Sequence, residues 1–208
     1  DPKITLVTKE LIDSVYKNID INIPGLTAQR VLNLINALAK ESNHYLEIGS
    51  FHGATTTAAL LNNDIKVSCV DNWVASPQAQ RDDIILPENS KEAFTKNIKT
   101  IKGDNSVTIF DCDLFEANTD TINDVDLFYY DGPHDSETTK NALVYYSKTF
   151  ANTCICIFDD ANWEGVVHGA NEGIQQAGLK VLYNKKILND VEDKNSWWNG
   201  LYITILSK

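Results

Sequence analysis

The chain has 208 residues, a formal net charge of -11, 43% hydrophobic and 23% charged residues. That length and balance suit one soluble domain with a substantial core, and the acidity argues against a nucleic-acid or other phosphate-rich partner. No window approaches the roughly 20 apolar residues that cross a bilayer, so no membrane partner is expected.

In chain order, residues 1–26 are mixed, with Leu11, Ile12 and Val15 suggesting a short helix before the turn at Pro24-Gly25. Thr27 reads as the N-cap of a helix over 28–41, where Val31, Leu32, Leu34, Ile35 and Leu38 recur near helical spacing. Residues 1–43 are thus expected as a helical segment packed on one domain that spans 1–208. A strand over 44–48 runs into Gly49-Ser50-Phe51-His52-Gly53, and a helix over 54–62 follows. A strand, a glycine turn and a helix N-terminus in that order form a ligand cradle at the carboxyl edge of an open α/β sheet.

The second strand, 66–70, ends at Asp71. An acid about 20 residues past the glycine turn is where ribose hydroxyls are usually held, although a strand-end Asp also caps turns. Residues 72–90 form a long connection of the kind that often serves as a lid. Its Trp73 reads equally as a wall of the ligand site or as a packing anchor. A helix over 90–101, a strand over 107–110, a strand over 125–130, a helix over 136–149 and a strand over 154–158 follow. The fourth and fifth strands are nearly all apolar, as central parallel strands are. A helix over 163–177 ends at Gly178, and strands over 180–183 and 201–206 close the chain. Cys69, Cys112, Cys154 and Cys156 lack Cys-x-x-Cys spacing and read as reduced thiols, so a cytoplasmic location is expected.

Glu47-Ile48-Gly49-Ser50-Phe51-His52-Gly53-Ala54-Thr55 lacks the middle glycine of the dinucleotide fingerprint and sets an acid beside the turn. It resembles motif I of the class I S-adenosylmethionine-dependent methyltransferases, in the form found in the catechol O-methyltransferase group and the methyltransferase 24 family. The resemblance covers residues 28–206. It implies an α/β, Rossmann-like three-layer αβα sandwich, with a seven-stranded, mostly parallel sheet ending in an antiparallel hairpin. It also implies that S-adenosylmethionine is held by Glu47, Gly49, Ser50, Gly53, Asp71 and Asp131, with Trp73 beside them. Asp113, just past the third strand, matches the acid that accepts from the adenine amino group, with Asp111 only two residues away.

Asp131 and Asp159-Asp160 end strands that should be neighbours, and carboxylates so placed call for a cation or a proton. Oxygen ligands suit Mg²⁺ or Ca²⁺, and the resembling metal-dependent enzymes carry an Asp and an Asp-Asn pair at these places, so Asp160 departs from their Asn. Asp159 or Asp160 capping the next helix, with no metal, is the alternative. His134 matches the place of the catechol enzymes' lysine and can take a proton near neutral pH, giving His134 and Asp131 as candidate catalytic residues. The expected activity is methylation of a small-molecule oxygen, and a homodimer is compatible with it. A cofactor-binding module without turnover, a nicotinamide-dependent oxidoreductase and a hydroxylase-like enzyme of the same fold stay open as alternatives.

Overall fold

The strand His44–Ile48 (β1), buried along its whole length, is the one from which the sheet grows in both directions. In the computed structural model, which describes residues 9–12, 19, 21–74 and 89–208, it pairs in parallel with Lys66–Asp71 (β2) on one side and Val125–Tyr130 (β4) on the other. Val107–Asp111 (β3) extends the sheet beyond β2, and Phe150–Asp159 (β5) beyond β4. Leu201–Ser207 (β7) and Lys180–Ile187 (β6) add antiparallel, giving the order β3-β2-β1-β4-β5-β7-β6. The order reverses between β1 and β4, the place where open α/β sheets bind ligands beyond their strand ends.

Period-two alternation divides the strand residues between two cores. Tyr45, Val67, Cys69, Leu127, Tyr129, Ile155 and Ile157 face the helices Gln29–Ala39 (α1), Ala54–Leu60 (α2) and Ser90–Ile101 (α3). Leu46, Ile48, Val70, Phe128, Tyr130, Cys156 and Phe158 face Ser136–Ser147 (α4) and Glu164–Gln176 (α5). The result is the expected three-layer αβα sandwich. The helices α4 and α5 meet along a glycine seam: a Cβ on Gly165 would lie 2.8 Å from the His134 carbonyl oxygen, one on Gly169 2.3 Å from that of Ser136, and one on Gly173 2.9 Å from that of Lys140. Only hydrogen at these positions lets the two backbones come so close.

Several boundaries differ from the sequence reading. Thr27 is not the cap: α1 starts at Gln29 behind Ala28, and the Thr27 hydroxyl is buried with no partner among the described residues. The helix α2 stops at Leu60, where Leu61 turns extended. The strand β5 begins at Phe150, four residues early, because Thr153 pairs with Ser207 at the rim where polar side chains reach water. The strand β6 runs on to Ile187, its Asn184-Lys185-Lys186 hiding an edge strand of the kind that lysines protect from further pairing. A 3-10 turn at Thr119–Thr121, capped by the Asn118 side chain, had no signal. The helix suggested around Leu11 and Val15 is seen only at residues 9–12, and most of the 72–90 connection lies outside the described residues.

Candidate active site

Alternation also gathers the acids. Glu47 pairs in register with Cys69 on one side and Tyr129 on the other, and Tyr129 with Ile157. One pleat further along, at the carboxyl ends, stand Asp71, Asp131 and Asp159, on the same face of the sheet as Glu47. Among the described residues no lysine or arginine pairs with any of the four.

Glu47 is fully buried and held by hydroxyls: Tyr45 donates to Oε1 at 2.8 Å, Ser50 to Oε2 at 2.8 Å, and Thr56 also to Oε2. Desolvation pushes its carboxyl above the usual range, and these hydroxyls pull it part of the way back. Tyr45 and Thr56 were not anticipated as partners, although Tyr45 lies two positions before Glu47, where a strand puts both side chains on one face.

The glycine turn is built around Asp71. Its Oδ2 accepts from the backbone N–H of Ser50 at 2.7 Å and of Phe51 at 2.8 Å, and its Oδ1 from that of Trp73 at 2.6 Å. A carboxylate has about four acceptor positions, so three are used within the chain. The turn needs Gly49 at φ 83°, because a Cβ there would sit 2.1 Å from the Asp131 carbonyl oxygen. Gly53, at φ 81°, is the N-cap of α2 and lies against Phe94. Trp73 spends its indole N–H on the Phe51 carbonyl at 2.9 Å and leans on Phe94, with ring centroids 5.3 Å apart, so it anchors the outside of the turn. Asp111 is taken up by Lys91, while the carboxylate of exposed Asp113 accepts from the Asn72 amide at 3.5 Å.

At the mouths of β4 and β5 the structure sorts the metal candidates. Asp131, His134 and Asp160 each offer an atom, all within 4.8 Å of one another. Asp159 stands apart from this trio: Tyr129 donates its hydroxyl to Oδ2, and the Asp160 N–H donates to Oδ1 at 2.8 Å. Burial, and then the neighbouring Asp160, push the Asp159 carboxyl up to about 8. Desolvation, followed by Asp159 and Asp160, lifts Asp131 well above the carboxylate range. His134 Nε2 lies 2.6 Å from Asp160 Oδ2, and that hydrogen bond raises its pKa against the desolvation of the ring. Trp163, 40% exposed, tilts beside His134 with ring centroids 5.3 Å apart. His52 and His168 lie outside the site: His52 is bonded to Pro24 and Ser90, and His168 to Glu172.

Two cavities among the described residues lie away from this edge. One of about 200 Å³ is bordered by Ile23, Thr57, Leu61 and Ile101. The other, of about 500 Å³, sits at the opposite end of the strands, between Asp126, Phe150 and Lys208. No helix among the described residues is long and apolar enough to cross a membrane.

The donor set tests which ligands fit. The Ser50 and Phe51 N–H groups, which a dinucleotide would need for its pyrophosphate, already face the Asp71 carboxylate. Four acidic side chains with no lysine or arginine on them among the described residues disfavour a phosphate further and suit a ligand that brings positive charge. A sulfonium nucleoside satisfies that demand.

Comparison with known proteins agrees. No curated protein matches in sequence. Among solved structures, the O-methyltransferase of Bacillus cereus in complex with SAH superposes with a TM-score of 0.59 at 13% identity, covering 100% of this chain and 91% of that one. A Klebsiella pneumoniae protein provisionally assigned as an O-methyltransferase gives 0.58 at 16% identity, with 100% and 91% covered. TYW2 of M. jannaschii in complex with AdoMet gives 0.57 at 12% identity, with 84% and 74% covered. At such identities the likeness establishes the fold. The methyltransferase 24 profile, described as a methyltransferase domain, matches residues 46–161, more than half of the chain. With the acid-lined glycine turn and the seven-stranded sheet in place, the chain belongs to the methyltransferase 24 family of class I S-adenosylmethionine-dependent methyltransferases.

Proposed function

We propose that the protein methylates a hydroxyl oxygen of a small molecule with the help of a divalent cation. The observation that carries this reading is the trio of Asp131, His134 and Asp160 beside the glycine turn. S-adenosylmethionine supplies an electrophilic methyl group; Glu47, Gly49, Ser50, Gly53, Asp71 and Asp113 are the residues to hold it. A divalent cation on Asp131 and Asp160 supplies a Lewis acid that makes a substrate hydroxyl easier to ionise.

The chain's own residues do the rest. Glu47, fixed by three hydroxyls, sets negative charge behind the turn without moving. His134 donates its Nε2–H to Asp160 Oδ2, which holds the ring in one orientation and leaves Nδ1 as the nitrogen that takes the hydroxyl proton. Asp159, occupied by Tyr129 and by the backbone, supports the site from behind without touching substrate. Positioning of the two reactants accounts for most of the rate.

Calorimetry with S-adenosylhomocysteine tests the first half of the reading. Binding in the micromolar range is expected, NADH is expected not to bind, and the reverse pattern overturns the proposal. Activity on a panel of hydroxylated small molecules tests the second half. It should vanish on chelation and return with Mg²⁺ or Mn²⁺, and full activity in the chelator refutes the role of the cation.

A further inference from the structure

Asp160 is held in the left-handed region at φ 59°, where a residue other than glycine is strained. Glu192 at φ 58° and Trp198 at φ 59°, both in the segment before β7, share that conformation. Asn199 joins these places. It is 6% exposed, and its amide nitrogen donates to Asp160 Oδ1 at 2.7 Å while its amide oxygen accepts from the Glu192 N–H at 2.7 Å. The orientation of the amide is settled by chemistry. A carboxylate only accepts and a backbone N–H only donates, so the nitrogen must face Asp160.

We infer that Asn199 is a positioning residue for the Asp160–His134 pair, an inference that rests on the cation-assisted reading above. Asp160 has two oxygens and two customers. With Oδ1 taken by Asn199, Oδ2 is the oxygen turned toward His134 at 2.6 Å, in the trio that Asp131 completes. The carboxylate therefore cannot rotate to offer either oxygen, and its charge is partly balanced by a neutral donor that leaves the site's negative potential in place. The backbone is clamped as well: Ala161 N–H donates to the Gly200 carbonyl at 3.1 Å, and Asn162 N–H to that of Asn199 at 2.9 Å. The segment ahead of β7 thus reaches the cation site through one amide. Partners of this kind, one bond behind a metal ligand, are commonly worth 10–100-fold in metal affinity.

The test uses the full chain, Mn²⁺ as the probe and no substrate. Unbound Mn²⁺ is counted by its EPR signal, and S-adenosylhomocysteine binding is followed by calorimetry. Asn199→Ala is expected to weaken Mn²⁺ binding 10–100-fold, to change the line shape of the bound ion, and to leave the S-adenosylhomocysteine affinity within threefold. Asn199→Ser, whose hydroxyl is too short to span the gap, gives the same comparison if the alanine chain does not fold. Mn²⁺ affinity within twofold of wild type in the folded variant overturns the role of Asn199 and leaves the cation reading standing. Wild-type protein that binds no Mn²⁺ overturns both.

Discussion

Replacing Gly49 with alanine should be the most damaging single-methyl change at the site, and the reason is geometric. Gly49 sits at φ 83°, and its added Cβ would meet the Asp131 carbonyl oxygen at 2.1 Å and the carbonyl carbon at 2.8 Å. Two costs add. The left-handed backbone costs a residue with a side chain roughly 1–2 kcal/mol. The overlap is with backbone on both sides, where Gly49 N–H donates to Val70 at 3.0 Å and Asp131 N–H to Ile48 at 2.8 Å, so the ends of β1 and β4 must part. Overpacking of that kind costs about 1–3 kcal/mol. The sum, about 2–5 kcal/mol, is a large share of the ~5–15 kcal/mol that holds a domain together. At about 2–4 °C per kcal/mol for a chain of this size, the melting midpoint should fall by roughly 4–20 °C. Gly178→Ala provides the control: Gly178 has φ 68°, yet nothing lies within 4 Å of its added Cβ, so it carries only the backbone cost. Urea titrations of the two variants, with S-adenosylhomocysteine binding as a second readout, decide the matter. If Gly49→Ala is no worse than Gly178→Ala, the contact with Asp131 does not govern this turn and the argument fails.

Acid stability should depend on His44, whose pKa is lowered by burial. Its Nδ1 faces the Asn123 carbonyl at 2.7 Å and so carries the proton, leaving Nε2 to accept from Ser68 at 2.9 Å, which suits the neutral ring. The unfolded chain binds that proton more readily, so the contribution is complete above pH ~6.5 and declines as pH falls below it, by up to ~1.4 kcal/mol per pH unit. His44→Gln should flatten this slope in denaturation curves taken from pH 7 to 5, and an unchanged slope excludes His44 as its source. Tyr129→Phe should cost about 1–3 kcal/mol by leaving a buried Asp159 oxygen without its donor. It should also move the Asp159 carboxyl further up from about 8, as followed by carbon NMR of the side chain; a downward move contradicts the assigned hydrogen bond.

The sequence made the central sheet readable because β1, β4 and β5 are apolar runs that stop at an acid, and Gly49 and Gly53 can only be a turn. It also put Asp131 and Asp160 at one edge, since neighbouring parallel strands end together. What it could not show was direction. Asp159 and Asp160 are adjacent in sequence, and only the left-handed backbone at Asp160 sends one carboxylate to His134 and the other to Tyr129. Asp71 has the spacing of a ribose ligand, but nothing local revealed that its oxygens would hold the turn's own N–H groups. Asn199 was hidden more deeply, as one asparagine in a polar stretch far along the chain from Asp160. The misjudged ends of β5 and β6 share a cause, because the start of β5 and the edge strand β6 meet water and there carry the same residues as loops.

The glycine seam between α4 and α5 bears on more than helix contact. Gly165 sits against the His134 carbonyl, so the loops that carry His134 and Asp160 meet backbone to backbone there. The spacing of the proton-handling pair therefore also depends on a backbone joint on the far side of the sheet from Glu47. Substitutions on the solvent surfaces of either helix can accumulate without altering that spacing. One methyl group at Gly165 or Gly169 would act like a shim in a hinge, opening the gap between His134 and Asp160 from a distance.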